Sequence, residues 1–238
     1  MNISIVITNW NGKDILKETL PTVIQAVKED NKNKYEILLV DDASTDGSQE
    51  FVKKNFPEIK IFINQKNIGY IASSNLGVSK SSYPLIMFLN SDMKITRDTI
   101  PVMLKHFNED NVFAVTPSVF DWNNNFLYGN RGGYFKFGHI FQYEKPINDT
   151  LSQTFFACGG AFIFKKKIYE ELGGYDNDLF YPYYYEEIDL SFRALKRGYK
   201  IIYEANSKVY HKTRGSISKD KNFFRIHFIS GRNSYLFT

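Results

Sequence analysis

The chain has 238 residues, which suffices for one large domain or two small ones with a proper hydrophobic core. Its net charge of +4, with no long run of basic residues, argues against nucleic acid as a partner. A single cysteine, Cys158, excludes an internal disulfide, and the sequence shows neither a basic leader nor an apolar run of about 18 residues, so we expect a cytoplasmic protein.

The first half of the sequence alternates strand patterns with helix patterns. Short β-branched or apolar runs predict strands at residues 3–8, 36–40, 60–63 and 85–89. Apolar residues at helical spacing predict helices at 16–27, 49–55, 71–79 and 99–107. Because this alternation is typical of parallel sheets with right-handed crossovers, residues 1–110 are predicted to form the nucleotide-binding half of an α/β domain.

The second half, residues 111–219, is less regular and is predicted to form a substrate-facing lobe on the same sheet. Strand patterns lie at residues 112–116, 126–137, 155–164, 200–203 and 208–210. One helix pattern ends near Gly173, and another begins near Glu186. Gly159 and Gly160 interrupt the pattern at 155–164. Paired glycines inside a strand pattern indicate a bulge or a close approach of the backbone to a ligand.

The tail, residues 220–238, mixes aromatic and basic residues. As a helix it would place Phe224 and Phe228 on one side, with Arg225 and Arg232 elsewhere. This pattern predicts peripheral contact with an anionic membrane surface, although ordinary packing against the protein explains it equally well. Since no capping signal precedes Thr238, we expect the sequence to be truncated there.

Three acidic clusters lie where strands end or a helix begins. Asp41-Asp42 and Asp92 follow predicted parallel strands and should meet at one edge of the sheet, while Glu186, Glu187 and Asp189 open a helix. Carboxylates together with phosphate oxygens are what Mg²⁺ or Mn²⁺ prefers, which points to a diphosphate ligand.

Structural interpretations of the same acids remain open. Asn90-Ser91-Asp92 contains common turn and cap residues. Asp189 and Arg193 have the spacing of an ion pair on one helical face.

A set of ordered motifs resembles the inverting family 2 glycosyltransferases of GT-A fold, and in particular their rhamnosyltransferase-like bacterial branch. The motifs are IVITNWNG, LLVDDASTDGS, Asn67-Ile68-Gly69, Asn75-Leu76-Gly77, FLNSD, GGAFIFKK, LGGYDNDLFYPYYYEEIDLSFRALKRG and VYHKTRGS. The resemblance implies one α/β domain over residues 1–219. Its Rossmann-like, mostly parallel sheet would be flanked by helices and accompanied by a smaller mixed sheet on the acceptor side.

The resemblance also implies a nucleotide site and a metal site. Thr8 and Asp41 fall where the family contacts the nucleobase and ribose, with Asn67 nearby, and the whole predicted nucleotide set is Thr8, Asn9, Asp41, Asp42, Asn67, Asn75, Asn90 and Ser91. The family's DxD metal motif falls on Asn90-Ser91-Asp92, which leaves Asp92 as the carboxylate ligand of Mg²⁺ or Mn²⁺. His211 matches a position where related enzymes add a ligand, but a strand-end histidine with a backbone partner fits the sequence too.

The catalytic base of the family falls on Glu187, at a position where the usual residue is Asp. The longer side chain leaves open that Glu186 exchanges roles with it, and the helix N-terminus favours either anion. Gly159, Gly160, Tyr185 and Asp189 are assigned to the loops that contact donor or acceptor. The implied mechanism is a single displacement, in which the carboxylate deprotonates an acceptor hydroxyl.

The predicted function is therefore transfer of a sugar from a nucleoside-diphosphate sugar to a glycan or lipid-linked acceptor in cell-surface polysaccharide synthesis. The predicted place is the cytoplasm or the inner face of the cell membrane. A sugar-nucleotide pyrophosphorylase is a weaker interpretation. Such enzymes have a Gly-rich N-terminal loop with a basic residue, and the segment ITNWNG does not resemble it. A non-catalytic nucleotide-sugar binder or scaffold is a third, to which the unusual Asn90 and Glu187 point.

Overall fold

The computed structural model describes residues 1–136, 139–145, 151–212 and 223–237. The first half alternates strands and helices, as the sequence predicted. Its elements are β1 (Asn2–Asn9), α1 (Lys13–Glu29), β2 (Lys34–Asp41), α2 (Ser48–Asn55), β3 (Lys60–Ile63), α3 (Gly69–Lys80) and β4 (Leu85–Asn90).

The second half begins directly after β4 and is richer in strands. Its elements are β5 (Met93–Ile95), α4 (Thr99–Leu104), a 3-10 turn (Lys105–Asn108), β6 (Val112–Asp121), β7 (Phe126–Tyr128), β8 (Arg131–Lys136), β9 (His139–Glu144), β10 (Leu151–Gln153), β11 (Ala161–Lys165), α5 (Lys166–Glu171), α6 (Asn177–Phe180), α7 (Glu186–Lys196), β12 (Lys200–His211) and α8 (Phe223–Phe237).

One large sheet joins the two halves. Its strand order is β10-β12-β6-β11-β4-β1-β2-β3, with β5 added at β12 and β7 at β6. The β1, β2, β3 and β4 strands pair in parallel, whereas β11 lies antiparallel between β4 and β6. The fold is thus a mostly parallel α/β sheet whose central strand, β4, borders both halves.

Side chains that alternate along the strands fill a hydrophobic layer on each face of this sheet. Ile5 and Ile7 of β1 pack with α1 on one face, while Val6 packs with α3 on the other. The α3 helix approaches very closely, because a Cβ on Gly77 would lie 2.3 Å from Cγ1 of Val6. Among the described residues, helices therefore cover both faces of the parallel strands, and the strand ends form an edge that a ligand can reach.

The strand predicted at 155–164 is shorter in the structure, because β11 begins only at Ala161. The backbone N–H groups of Ala157 and Cys158 donate to the side chains of Ser191 and Thr116, at 3.1 Å each, instead of to backbone carbonyls of a neighbouring strand. Gly160 then takes the left-handed conformation, with φ of +97°. The prediction of a strand over the first part of this segment was wrong.

The two strands predicted at 200–203 and 208–210 are one strand, β12. Its register against β6 shifts between Glu204 and Lys208, so three residues of β12 have no partner on β6. Two side chains of the bulge are hydrogen-bonded, since Ser207 donates to the carbonyl of Thr99 at 2.8 Å and Asn206 donates to Oε1 of Glu204 at 3.0 Å. A bulge therefore replaces the predicted break, and it lets one strand continue to His211.

The second sheet is the two-stranded antiparallel hairpin β8–β9, and the mixed pairing expected of it lies in the large sheet instead. The tail forms α8, as predicted, although residues 220–222 and the side chains of Phe224 and Arg225 lie outside the described ones. Among the described helices, none combines the length and apolar character needed to cross a membrane.

Candidate active site

The carboxyl ends of β1, β2 and β4 form one wall of a cavity of about 470 Å³. The strand register sets Thr8 beside Asn90 and Asn9 beside Asp41, so these ends meet at one edge of the sheet. Nine of the predicted site residues line this cavity: Thr8, Asn9, Asp42, Asn67, Asn90, Ser91, Gly159, Glu186 and Glu187.

Asp41 and Asp42 point in different directions. Asp41 is fully buried, and its carboxylate accepts hydrogen bonds from Asn9, Gln49 and the backbone N–H of Ser44, at 2.8 to 2.9 Å. Asp42 lines the cavity instead. Its carboxylate accepts from the backbone N–H groups of Ile68 and Gly69 at 2.8 and 2.9 Å, which holds the segment that follows Asn67.

Asn75 lies away from the cavity lining of the described residues. Its Oδ1 accepts from the hydroxyl of Tyr169 at 2.5 Å and from the backbone N–H of Tyr175 at 3.1 Å. Its Nδ2 donates to the carbonyl of Tyr175 at 2.9 Å. Asn75 of α3 thus binds the turn that follows α5 and holds it in place. Its role is structural.

Gly159 and Gly160 lie between the cavity wall formed by the strand ends and the wall that carries Glu186 and Glu187. The carbonyl of Gly160 accepts from the backbone N–H of Asn90 at 2.7 Å, and a Cβ on Gly160 would lie 2.9 Å from Nδ2 of Asn90. A Cβ on Gly159 would lie 2.5 Å from Oε1 of Glu187. The two glycines therefore bring Asn90 and Glu187 close to the same short stretch of backbone, as the paired glycines had indicated.

Glu186 and Glu187 open α7, where the helix N-terminus faces the cavity. Burial raises the pKa of Glu187 to about 7, although a hydrogen bond from Glu186 lowers it in part. Burial, reinforced by the charge of Glu187, raises the pKa of Glu186 well above its usual range. Glu186 therefore keeps its proton near neutral pH and donates it in the bond to Glu187, which leaves Glu187 as the proton acceptor.

Asp92 and His211 lie close to each other, where β5 pairs with the end of β12. The β5–β12 register sets His211 opposite Met93, and its Nε2 is 3.4 Å from Oδ2 of Asp92. Oδ1 of Asp92 is buried and has no hydrogen-bond donor among the described residues. A buried carboxylate oxygen without a donor, next to an imidazole nitrogen, fits two of the ligands of a divalent cation.

The described residues contain no group of three or more His, Cys, Asp or Glu side chains arranged around a metal position. Asp92 and His211 would therefore need ligand oxygens from a substrate or water to complete a shell. Mg²⁺ and Mn²⁺ sites built on few protein ligands and substrate phosphates are common.

Asp189 and Tyr185 do not line the described cavity. Asp189 forms an ion pair with Arg193, whose Nε and Nη2 are 2.8 and 2.5 Å from Oδ2, as the structural interpretation predicted. Burial raises the pKa of Asp189, and the Arg193 guanidinium opposes this. Tyr185 packs its ring 5.9 Å from that of Phe237. Both residues act in packing around α7 and make no contact with the cavity.

Several cavity residues were missed by the sequence analysis. Arg131 is the only cation among the described lining residues, and it forms an ion pair with Glu144 at 2.6 Å. The sequence feature that could have identified Arg131 is its position between Asn130 and two glycines, inside a predicted strand. Other lining residues that were not assigned are Trp10, Tyr70, Ser73, Tyr128, Phe156 and Cys158.

Three rings of the tyrosine-rich segment before α7, those of Tyr181, Tyr183 and Tyr184, line the cavity. Tyr70 faces the acidic pair from the other side, and burial, with the charges of Glu187 and Glu186, raises its pKa well above the usual range. The acidic pair is therefore enclosed mainly by neutral aromatic side chains, which explains why its proton affinity is high.

The sequence matches the family model "Glycosyl transferase family 2" over residues 4–173. It is 28% identical over 215 residues to a poly-beta-1,6-N-acetyl-D-glucosamine synthase of Staphylococcus aureus, an alignment that covers 85% of this chain and 48% of the relative. The chain thus spans about half the length of this curated relative.

Solved structures resemble the fold over most of the chain. A structure of GalNAc-T7 with UDP, GalNAc and Mn²⁺ has a TM-score of 0.71 at 19% identity, covering 91% of this chain and 44% of the other. The mannosyltransferase PcManGT from Pyrobaculum calidifontis, in complex with GDP-Man and Mn²⁺, has a TM-score of 0.66 at 16% identity, covering 98% and 69%. These likenesses identify the fold as that of the GT-A glycosyltransferases.

Proposed function

The chain belongs to glycosyl transferase family 2, and from this membership and the cavity geometry we propose that it transfers a sugar from a nucleoside-diphosphate sugar to an acceptor hydroxyl. The acceptor class we propose is a glycan or a lipid-linked glycan of the cell surface. The observation that carries the proposal is Glu187. It is a carboxylate with a pKa of about 7, held by a protonated neighbour and aimed into the cavity beside Gly159.

The donor nucleoside would lie against Thr8, Asp42 and Asn67, which line the cavity where β1 and β2 end. Asp41, predicted for the same role, would act indirectly by fixing Asn9. The diphosphate would reach toward Asn90 and Ser91 at the end of β4. Asp92 and His211 would hold the divalent cation, which supplies positive charge to the leaving diphosphate.

In the proposed reaction the acceptor hydroxyl lies near Glu187 and gives its proton to that carboxylate. The oxygen attacks the anomeric carbon as the bond to the nucleoside diphosphate breaks on the opposite face, so the configuration inverts. Glu186 keeps its proton and donates a hydrogen bond to Glu187, which favours the ionised base. Transfer of a rhamnosyl group or another hexosyl group is equally compatible with these roles.

Calorimetric titration of the purified protein with UDP, dTDP and GDP, each with and without Mn²⁺, tests the donor site. We expect Mn²⁺-dependent binding of one nucleotide. Asp92→Asn should weaken that binding about 10- to 100-fold, since Asn is a neutral and poorer ligand of the same size. Asp98→Asn, an exposed change close by in the sequence, is the matched control.

No binding of any nucleotide to folded protein would contradict the donor site. Metal-dependent binding without transfer to any glycan acceptor would instead favour the non-catalytic nucleotide-sugar binder. The two outcomes are separable because binding and transfer are measured independently.

Peripheral contact of α8 with the inner face of a membrane stays a prediction. The helix exposes Phe228, Tyr235 and Leu236, at 72%, 74% and 45%, whereas Ile229 and Asn233 are buried against the protein. Co-sedimentation with anionic and neutral vesicles tests it, and equal recovery with both lipids, or with neither, would contradict an electrostatic contact.

A further inference from the structure

Asn233 of α8 is fully buried, and its side chain reaches the segment that leads into the acidic pair. The amide Nδ2 donates toward the carbonyls of Phe180, Tyr183 and Tyr184, at 3.2, 3.0 and 2.8 Å. An amide NH₂ group has two hydrogens, so the three oxygens share them. A buried amide surrounded by acceptors has only one orientation that satisfies it.

Arg232 fixes that orientation from the other side. Its Nε and Nη2 donate to Oδ1 of Asn233 at 2.9 and 2.7 Å, and Nη2 also donates to the carbonyl of Tyr181 at 2.5 Å. Two consecutive residues of α8 thus bind the carbonyls of Phe180, Tyr181, Tyr183 and Tyr184. The bond from Arg232 to the Tyr181 carbonyl is charge-assisted, and together with the bonds from Asn233 it covers most of the segment before α7.

The segment needs such support because its backbone is strained. Tyr184 and Tyr185, which directly precede Glu186, both have φ of +76°. The left-handed conformation is unfavourable for a residue with a side chain, and it persists only where surrounding contacts impose it. The bonds from α8 are contacts of this kind, and they end one residue before Tyr185.

We propose that Arg232 and Asn233 form a positioning pair that holds residues 180–184 and thereby aims Glu187 at the cavity. The pair does not line the described cavity, so its role is to position the base and not to touch a substrate. The inference rests on the proposed function for the role of Glu187. It assigns α8 to the active-site structure, although this helix lies outside the part of the chain that the family model matches.

The test compares Asn233→Asp, Arg232→Ala and the control Gly231→Ala with the wild-type chain. Asp has the size of Asn but lacks the NH₂ donors, and its charge would face three carbonyls. Arg232 is exposed, so its removal leaves the core intact should Asn233→Asp fail to fold. A Cβ on Gly231 meets nothing within 4 Å, which makes Gly231→Ala a neighbouring change without a lost contact.

Three kinds of measurement are made on each protein, namely amide exchange, NMR titration of Glu187, and kinetics together with nucleotide binding. We expect faster amide hydrogen exchange at residues 180–187 in both test variants, and a carboxyl titration midpoint of Glu187, followed by carbon NMR, that falls by about one unit as water gains access. We expect kcat to fall about 10- to 100-fold, with nucleotide affinity changed less than about twofold, because only the base is misplaced. Gly231→Ala should match the wild type in all three.

The positioning pair would be overturned if Asn233→Asp and Arg232→Ala both kept the wild-type rate of amide hydrogen exchange and the wild-type titration midpoint of Glu187. If the wild-type chain transfers no sugar, the proposed function fails, but exchange and titration still decide whether the pair holds the carboxylate. An equal loss of nucleotide affinity and kcat would indicate general damage and also count against it.

Discussion

Glu186 and Glu187 are chemically identical side chains with different protonation, and the difference comes from their surroundings. Burial at the start of α7 raises the cost of ionising both, and the charge of Glu187 raises it further for Glu186, whereas a hydrogen bond from Glu186 lowers it for Glu187. One shared proton resolves this, because a hydrogen bond between two carboxyl groups requires a donor. Since Glu186 is 3% exposed and Glu187 faces the cavity, the proton stays on Glu186.

The first residue-scale prediction concerns the rate. Glu187→Gln should lower kcat about 100- to 10,000-fold, the usual range for a general base, with nucleotide binding retained. Glu186→Gln should keep most of the activity, since an amide NH₂ can still donate to Glu187. The measurement is initial rate against acceptor concentration. Activity near the wild-type level in Glu187→Gln would remove Glu187 as the base.

The second residue-scale prediction concerns pH. The base must be ionised, so kcat/KM of the wild type should rise with pH and reach half its plateau near pH 7, where the Glu187 carboxyl titrates. Glu186→Ala should move this midpoint upward, because the hydrogen bond that favours the Glu187 anion is lost. A rate that is flat from pH 5 to 9 would contradict this assignment.

The third residue-scale prediction concerns stability. Because the folded-state pKa of Glu187 lies above its ordinary value of 4.5, the folded protein binds more protons than the unfolded chain between those values, and stability falls as pH rises toward 7. Glu187→Gln should therefore raise the free energy of unfolding by about 1–3 kcal/mol at pH 8 and change it little at pH 4. Denaturant unfolding at both pH values measures this. An equal effect at both would show that ionisation is not the cause.

Sequence reasoning found the acidic pairs but could not tell neighbours apart. Successive residues at a strand end point to opposite sides, so Asp41 turns toward Asn9 and Gln49 while Asp42 turns toward the cavity. Which one faces the ligand depends on the register with β1, which no local pattern encodes. Arg131 was missed for the same reason, because its position depends on β8 and not on a motif.

At the scale of elements, the short stretch before β11 sets the distance between the two walls of the cavity. Gly159→Ala should lower kcat at least about 10-fold, because its Cβ would lie 2.5 Å from the carboxylate oxygen of Glu187 and force that side chain to move. Gly231→Ala is the matched control, as its Cβ meets nothing within 4 Å. Steady-state kinetics together with melting temperature distinguish a displaced base from a misfolded chain. Unchanged kcat in Gly159→Ala would contradict the tight fit.

The alternating elements of the first half were predictable because each buries a periodic apolar face against its neighbours. The elements around the site were not. Residues 155–160 have a strand pattern, but the backbone N–H groups of Ala157 and Cys158 bind the side chains of Ser191 and Thr116, which are distant in sequence. The bulge in β12 likewise depends on Thr99, about a hundred residues earlier. Local propensity cannot anticipate such long-range partners.

At the scale of the whole molecule, one sheet carries both halves of the cavity. Thr8, Asp42 and Asn90 come from the first 90 residues, and Glu187 from α7. A ligand that bridges both walls should stabilise the molecule as one unit. The alternation of strands and helices predicted this sheet, whereas the packing of α8 could not be predicted, because an amphipathic helix can bury its apolar side on protein or on lipid.

The whole-molecule prediction follows from binding linkage. The matching nucleotide with Mn²⁺, at about a hundred times its Kd, should stabilise the fold by about 2.7 kcal/mol and raise Tm by about 5 to 10 °C. Scanning calorimetry should show a single transition that moves as a unit. Asp92→Asn should lose the Mn²⁺-dependent part of the shift. Two separated transitions would show that the halves unfold independently.

The support of the catalytic segment by Asn233 also has a consequence in time. During translation, Asn233 is added 46 residues after Glu187, which takes about 2 to 9 s at usual elongation rates. The strands that hold the nucleotide could fold in that interval, while the turn before α7 lacks its hydrogen-bond donors. A growing chain would thus bind the sugar donor before its catalytic base is aligned. It would be unable to transfer the sugar until α8 has docked.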